Sequence, residues 1–250
     1  MLLLALSLLV GITGTACKGG GQLSSFTTTT QQVRVRSQSL DDASSGGVPA
    51  PTKIALAARA TGGAVTVYPS PNAAAPLFTL SNPTIEAQPL AFLAIDQEGD
   101  WFQVRVPERP NSQTGWVRAS QVALTPVDNR IVISVGERAL RVLNKNQAVL
   151  YETNVAVGKP KTPTPLGRFY VDIWLPKPGS PYGAFLLSIS GFSEALKTFN
   201  GGRGQIAMHG WSDPSVMGRN VSNGCIRMRN GDITHLAELA PLGTPVEIIA

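Results

Sequence analysis

Cysteine and histidine are scarce in this 250-residue chain: only Cys17 and Cys225, and His209 and His235. So few thiols exclude a disulfide-stapled scaffold. A zinc centre, which usually takes four nitrogen, sulfur or carboxylate ligands, would run short of them, so neither metal nor cofactor is expected. Charged residues make up only 15% of the chain against 43% apolar ones, a balance that argues against disorder over most of its length. The net charge is +5 and the pI about 9.5. Yet no basic run is interleaved with aromatics and no nucleic-acid-binding motif occurs, so nucleic acid is not an expected partner and the charge reads as a mildly basic solvated surface. Long apolar runs are missing too, except at residues 1–16, which are too few for a comfortable membrane span and read as a secretion signal.

What remains is enough for two domains and an extension. Residues 18–52 are rich in Gly, Ser, Thr and Gln without apolar periodicity, as in Gly19-Gly20-Gly21 and Thr27 to Thr30, and read as a flexible tether of roughly 30–35 Å. Residues 53–126 carry short β-type segments between turn formers: Ala64 to Tyr68 before Pro69-Ser70-Pro71-Asn72, Leu90 to Ile95 before Gly99-Asp100, and Trp101 to Val106. A small all-β barrel is the natural outcome, with Tyr68, Trp101 and Trp116 packing its core or, less simply, contacting a ligand. Residues 127–250 begin with two alternating runs split by Gly136-Glu137-Arg138 in the manner of a hairpin, continue through Val149 to Val157 and Arg168 to Trp174, and end on Pro245 to Ile249. The spacing of Ile233, Leu236, Ala237, Leu239 and Ala240 predicts one helix over residues 231–242, with Asn230 or Asp232 as its cap and His235 as a structural or surface residue. The fold class is therefore mostly β, with few helical residues.

The chemistry concentrates in His209-Gly210 and in Ser222-Asn223-Gly224-Cys225-Ile226-Arg227-Met228. A thiol attacks as its thiolate, and a histidine within reach can take its proton and later return one to a leaving amine. Gly210 and Gly224 let the backbone adopt conformations that other residues resist and let a substrate approach. Backbone N–H groups of Asn223, Gly224 and Cys225 could converge on an oxyanion. A lone cysteine can also be a small buried hydrophobe, but nucleophile, base and glycines occurring together favour catalysis.

These residues resemble the L,D-transpeptidase catalytic domain of bacterial cell-wall enzymes, whose signature is His-Gly followed by Ser-(His or Asn)-Gly-Cys-(Ile or Val)-Arg. Thr162-Pro163-Thr164-Pro165-Leu166-Gly167-Arg168-Phe169 resembles a further segment of the family, and the likeness runs from Asn129 to Ala250. It implies a β-rich domain with the cysteine at the base of a groove under a loop, here drawn from residues 174–202. It further implies that Cys225 attacks the bond between the third stem residue and terminal D-alanine of a peptidoglycan tetrapeptide, that His209 is base and then acid, and that a neighbouring stem's amine resolves the thioester into a 3-3 crosslink. Gly210 or Ser222 would fix the His209 tautomer, Arg227 would meet a substrate carboxylate or hold the loop, and Tyr182 would touch substrate. Arg203 and Arg219 are weaker candidates for anionic contacts. Carbapenem-type inhibitors would acylate Cys225.

Two lesser resemblances complete the reading. Thr13-Gly14-Thr15-Ala16-Cys17 is similar to a bacterial lipobox, with glycine where an aliphatic is usual, so the chain is expected outside the cytoplasm as a membrane-anchored lipoprotein; a plain cleaved signal or an uncleaved anchor would place it there too. Arg109 to Val117, with Gly115-Trp116-Val117, resembles the closing strand of bacterial SH3-like domains. The rival functions are an L,D-carboxypeptidase, attachment of a protein to the wall, and a wall-binding lipoprotein with an inactive second domain.

Overall fold

The computed structural model describes residues 55–250. The expected signal, Cys17 and the whole of the tether lie outside the described residues. Seventeen strands and one α-helix follow in chain order: β1 (Ala55–Ala60), β2 (Ala64–Val67), β3 (Phe78–Ser81), β4 (Ala91–Glu98), β5 (Trp101–Arg105), β6 (Thr114–Arg118), β7 (Val122–Val127), β8 (Asn129–Ser134), β9 (Ala139–Asn144), β10 (Val149–Asn154), β11 (Val157–Gly158), β12 (Gly167–Pro176), β13 (Phe185–Phe192), β14 (Gln205–Gly210), β15 (Asn220–Ser222), β16 (Ile226–Met228), α1 (Asn230–Leu239) and β17 (Pro245–Ile249). The expectation of a mostly β protein holds.

The amino-terminal β unit is a five-stranded sheet in the order β6-β5-β4-β1-β7, with β2 and β3 forming a separate pair. Alternation drives its core: Val65 and Val67 from β2 meet Phe92, Val104 and Val117. Gly115 is required there, because a Cβ would lie 2.2 Å from Val67 Cγ1. Trp101 is buried, meets Tyr68 edge to face at 5.2 Å and carries the Arg118 guanidinium 4.4 Å over its ring. That is the arrangement of a packed aromatic and not of a displayed one. The alanine-rich β1 has no clean alternation, which is why only the ladder to β4 and β7 identifies it as a strand.

The second sheet has eight strands in the order β10-β9-β8-β17-β12-β13-β14-β16. β17 runs parallel to β8, and β14 parallel to β16. Ile131, Ile133, Leu187, Met208, Ile226 and Met228 point to one face, where α1 covers them with Ile233, Leu236 and Ala237. The i, i+3, i+4 spacing of those three residues gives the helix its apolar stripe.

Two expectations need correction. The helix stops at Leu239, not 242, because Ala240 precedes Pro241 and leaves the helical region at φ −126°, ψ 75°. Its cap residue is Arg229, with no side-chain capping bond, while Asn230 and Asp232 turn to other partners, Ala184 N and Thr153 Oγ1. The stretch 174–202 is no single loop either: β13 runs through it, with Leu187 to Phe192 buried, leaving separate connections on each side. His235 is a surface residue, edge to face with Tyr151 at 4.8 Å and 3.4 Å from Glu238.

Candidate active site

Parallel pairing of β14 with β16 puts Met208 opposite Ile226, His209 opposite Arg227 and Gly210 opposite Met228. Since Met208, Ile226 and Met228 face the core, the alternation of a strand turns His209 and Arg227 to the other face. Cys225 stands just before β16, two residues ahead of Arg227, and its thiol takes a hydrogen bond from the backbone of Ala207, two residues ahead of His209. Cysteine, histidine and arginine thus converge at one sheet edge although 15 residues separate Cys225 from His209 in sequence.

His209 is 3% exposed. Its Nδ1 lies 2.8 Å from the carbonyl oxygen of Gly210. A carbonyl can only accept, so Nδ1 carries the hydrogen and the Nε2 lone pair is left to act as a base. Burial is the main reason its pKa falls to about 4; the Gly210 bond opposes the fall and the Arg227 charge adds to it. Burial likewise pushes the Cys225 thiol up, against the Ala207 hydrogen bond and Arg227, both of which favour the thiolate. Burial thus favours the neutral form of both groups.

Three aromatic or cationic side chains enclose the imidazole. Tyr182 lies edge to face at 5.1 Å, and Trp211 lies at 5.9 Å on a ring that also stacks the Arg227 guanidinium at 3.6 Å. Trp211 was not among the residues read from the sequence, although its place two positions beyond His209 puts it on the same strand face. Arg227 Nε is buried without a hydrogen-bond partner among the described residues. Tyr182 reaches the site because Gly183, at φ +72°, presses on Gly210; a Cβ on Gly210 would sit 2.2 Å from Asn230 Oδ1 and 3.0 Å from Gly183 Cα. This close approach, and not a catalytic contact, is what the Gly210 side-chain position requires.

Ser222 does not touch His209. Its hydroxyl donates to the Cys225 carbonyl at 2.5 Å and accepts the Gly224 N–H at 3.0 Å, closing the turn that presents the thiol. Gly224 N–H is thereby committed, which removes it from the expected oxyanion donors and leaves Asn223 and Cys225. The turn is braced from outside by two buried threonines. Thr162 Oγ1 donates to the Ser222 carbonyl at 3.2 Å; Thr164 Oγ1 donates to the Gly224 carbonyl at 2.8 Å while accepting Gly158 N–H at 2.9 Å. Gly158 allows this, since a Cβ there would lie 2.3 Å from the Thr162 carbonyl oxygen. Arg203 is engaged elsewhere, paired with Glu108, and Arg219 bonds through its backbone, from its N–H to Val216 and from Val157 N to its carbonyl, while its charge acts on Asp213.

A family model of the L,D-transpeptidase catalytic domain matches residues 128–248. A Bacillus licheniformis protein named for L,D-transpeptidase activity, YkuD, is 35% identical over 153 residues, which cover 58% of this chain and 85% of that protein. Its Bacillus subtilis namesake is 38% identical over 118 residues, 47% of this chain and 64% of that one. Among solved structures, the catalytic domain of an Enterococcus faecium L,D-transpeptidase is similar at 23% identity and a TM-score of 0.39, covering 49% of this chain and 97% of that one. With its catalytic-type segment matched and most of one relative's length spanned, the chain belongs to the L,D-transpeptidase family.

Proposed function

We propose that this protein is a peptidoglycan L,D-transpeptidase acting through a Cys225 thioester. The observation that carries the reading is the shared sheet face of Cys225 and His209, with the imidazole held as the Nδ1–H tautomer by Gly210. As the thiol meets the stem-peptide carbonyl, His209 Nε2 takes its proton and sulfur bonds to carbon. The resulting oxyanion is received by the N–H groups of Asn223 and Cys225. Collapse breaks the carbon–nitrogen bond, and the proton on Nε2 passes to the departing D-alanine amine. A neighbouring stem's amine then attacks the thioester, gives its proton to Nε2, and the released thiolate recovers that proton. Burial that favours a neutral thiol and a neutral imidazole suits this cycle, because charge then separates during attack.

Arg227, fixed over Trp211, offers its guanidinium to a substrate carboxylate, and Tyr182 borders the same space. The amino-terminal unit, with its Gly115-Trp116-Val117 strand, is read as SH3-like, and the chain as an extracytoplasmic protein with a lipid on Cys17. The test is mass spectrometry of disaccharide-tetrapeptide muropeptides incubated with the purified protein and with Cys225→Ala. Dimers lacking one D-alanine, absent from the variant, are the expected products. Loss of D-alanine without dimers would assign a carboxypeptidase, and turnover by Cys225→Ala would sink the mechanism. A carbapenem should add its mass to the wild-type chain alone.

A further inference from the structure

The pairing of β13 with β14 is regular at the site, with Leu186 opposite His209, Leu187 opposite Met208 and Ser188 opposite Ala207, and slips just before it. Phe192 pairs with Gln205, so a step of four positions on β13 answers a step of two on β14. A ladder that slips in this way does not by itself fix the path of the chain entering β14. The connection before it, residues 193–204, is long, and its own bonds are few: Ser193 N to the Gly204 carbonyl at 2.8 Å, Leu196 N to Ser193 Oγ, and the bridge of Phe199 with Gly202. Ordering such a loop costs conformational entropy at each residue, so further anchors matter.

The holder comes from the amino-terminal unit. Arg109, on the connection between β5 and β6, donates from Nη1 to the Ser193 carbonyl at 3.0 Å and from Nη2 to the carbonyls of Leu196 at 3.3 Å and Arg203 at 3.0 Å. One guanidinium thus gathers the two ends and the middle of the loop. Asn111 completes the dock, exchanging two 2.8 Å bonds with the backbone of Phe192, as a neighbouring strand would. Glu108 pairs with Arg203, and the Phe192 ring carries Arg109 at 4.9 Å and Arg203 at 5.2 Å from its centroid. Gly204, at φ +68°, turns the chain into β14 where a Cβ would strike the Leu196 carbonyl at 2.2 Å. Three residues later comes Ala207, whose backbone bonds the Cys225 thiol, and two after that comes His209.

We infer that Arg109 is a positioning residue for catalysis: it holds the 193–204 loop, and through it the entry of the chain into β14, which carries Ala207 and His209 to Cys225. The inference rests on the reading of Cys225 as nucleophile. It makes the amino-terminal unit part of the active-site framework and not merely a tethered module. Arginine suits this role because its planar fork sends N–H groups from two separate nitrogens to the three carbonyls, whereas a lysine would have to reach all three from one point.

The test compares full-length wild type, Arg109→Ala, Arg109→Lys and Arg118→Ala, the last being a cation of the same unit that lies on Trp101 away from the loop. Acylation by imipenem is timed by intact mass, kcat and KM are measured on muropeptide, and amide hydrogen exchange is followed over residues 193–207. Arg109→Ala should acylate about tenfold more slowly or worse, the loss falling on kcat, with faster exchange in that segment. Millimolar guanidinium ion should restore part of the rate, Arg109→Lys should recover only a fraction, and Arg118→Ala should match wild type. Acylation of Arg109→Ala within about twofold of wild type, or slowed only by its unfolded fraction, would overturn the inference. Should Arg109→Ala not fold, Arg109→Lys is judged by the same criterion. A wild type that imipenem never labels would overturn the Cys225 reading itself, an outcome distinct from equal labelling of wild type and variant.

Discussion

The Arg227 guanidinium lies 3.6 Å from the centroid of the Trp211 ring, and the same indole flanks the imidazole of His209 at 5.9 Å. One aromatic side chain therefore both carries a cation and flanks the imidazole. Trp211→Ala should let solvent reach His209 and move its pKa up from about 4 toward its ordinary 6.5, since burial is the main cause of the depression. An NMR titration of the imidazole checks this; an unmoved pKa would show that the indole does not shield it.

The pH dependence of turnover follows from the same burial. His209 works as a base only when neutral, so kcat/KM should rise with a midpoint near pH 4 and stay level until the thiol, held above its ordinary value, begins to ionise in the alkaline range. A profile of kcat/KM against pH decides the matter, and a midpoint near 6.5 would mean a solvated imidazole. The same shift affects stability. Between about 4 and 6.5 the unfolded chain binds the proton that folded His209 refuses, so this contribution is lost as pH falls through that window.

Thr164 bridges Gly158 N–H and the Gly224 carbonyl. Thr164→Val keeps the shape of the side chain and strands both groups, which should cost about 1–3 kcal/mol of stability for each group left unsatisfied. Urea denaturation measures the loss. Acylation of the folded variant should also slow, because the Ser222–Cys225 turn loses a brace; a variant as stable and as fast as wild type would refute the role.

Asp172 is a buried carboxylate on β12 whose Oδ2 accepts from Gln205 Nε2 at 2.6 Å while Oδ1 has no hydrogen-bond partner among the described residues. Burial chiefly raises its pKa from 3.8 to about 7, against the Gln205 bond. Here the sign is opposite to that of His209: the folded state holds the extra proton, so this contribution is full below about 3.8 and is lost as pH rises through 7. Asp172→Asn should therefore melt higher relative to wild type at pH 8 than at pH 5. Calorimetry at both pH values tests it, and a difference independent of pH would contradict the assignment.

Much of this was legible in the chain. Period-two alternation marked Ile131 to Val135, Ala139 to Leu143 and Trp101 to Val106 as strands, because a half-buried sheet imposes that period on any sequence. The i, i+3, i+4 pattern marked the single helix. Cys225 and His209 stood out because their residue types are rare and their chemistry is narrow. Misplaced features came from contacts that local patterns do not encode: β13 hidden among prolines and glycines, Asn230 drawn to Ala184 instead of capping its helix, and Ser222 bent toward Cys225 instead of His209.

By itself the sequence determined the strand-rich class and the position of the helix and singled out Cys225 and His209 as the proposed reactive pair, since these depend on local periodicity and on the chemistry of single side chains. Only the tertiary structure decided how they act. Parallel pairing of β14 with β16 brought the thiol and imidazole to one face, burial shifted both toward their neutral forms, and Gly210 rather than Ser222 fixed the tautomer. Trp211 and Arg109 gained their roles through neighbours far away in the chain. Burial and hydrogen-bond geometry are sums over such distant neighbours, and no window of sequence contains them.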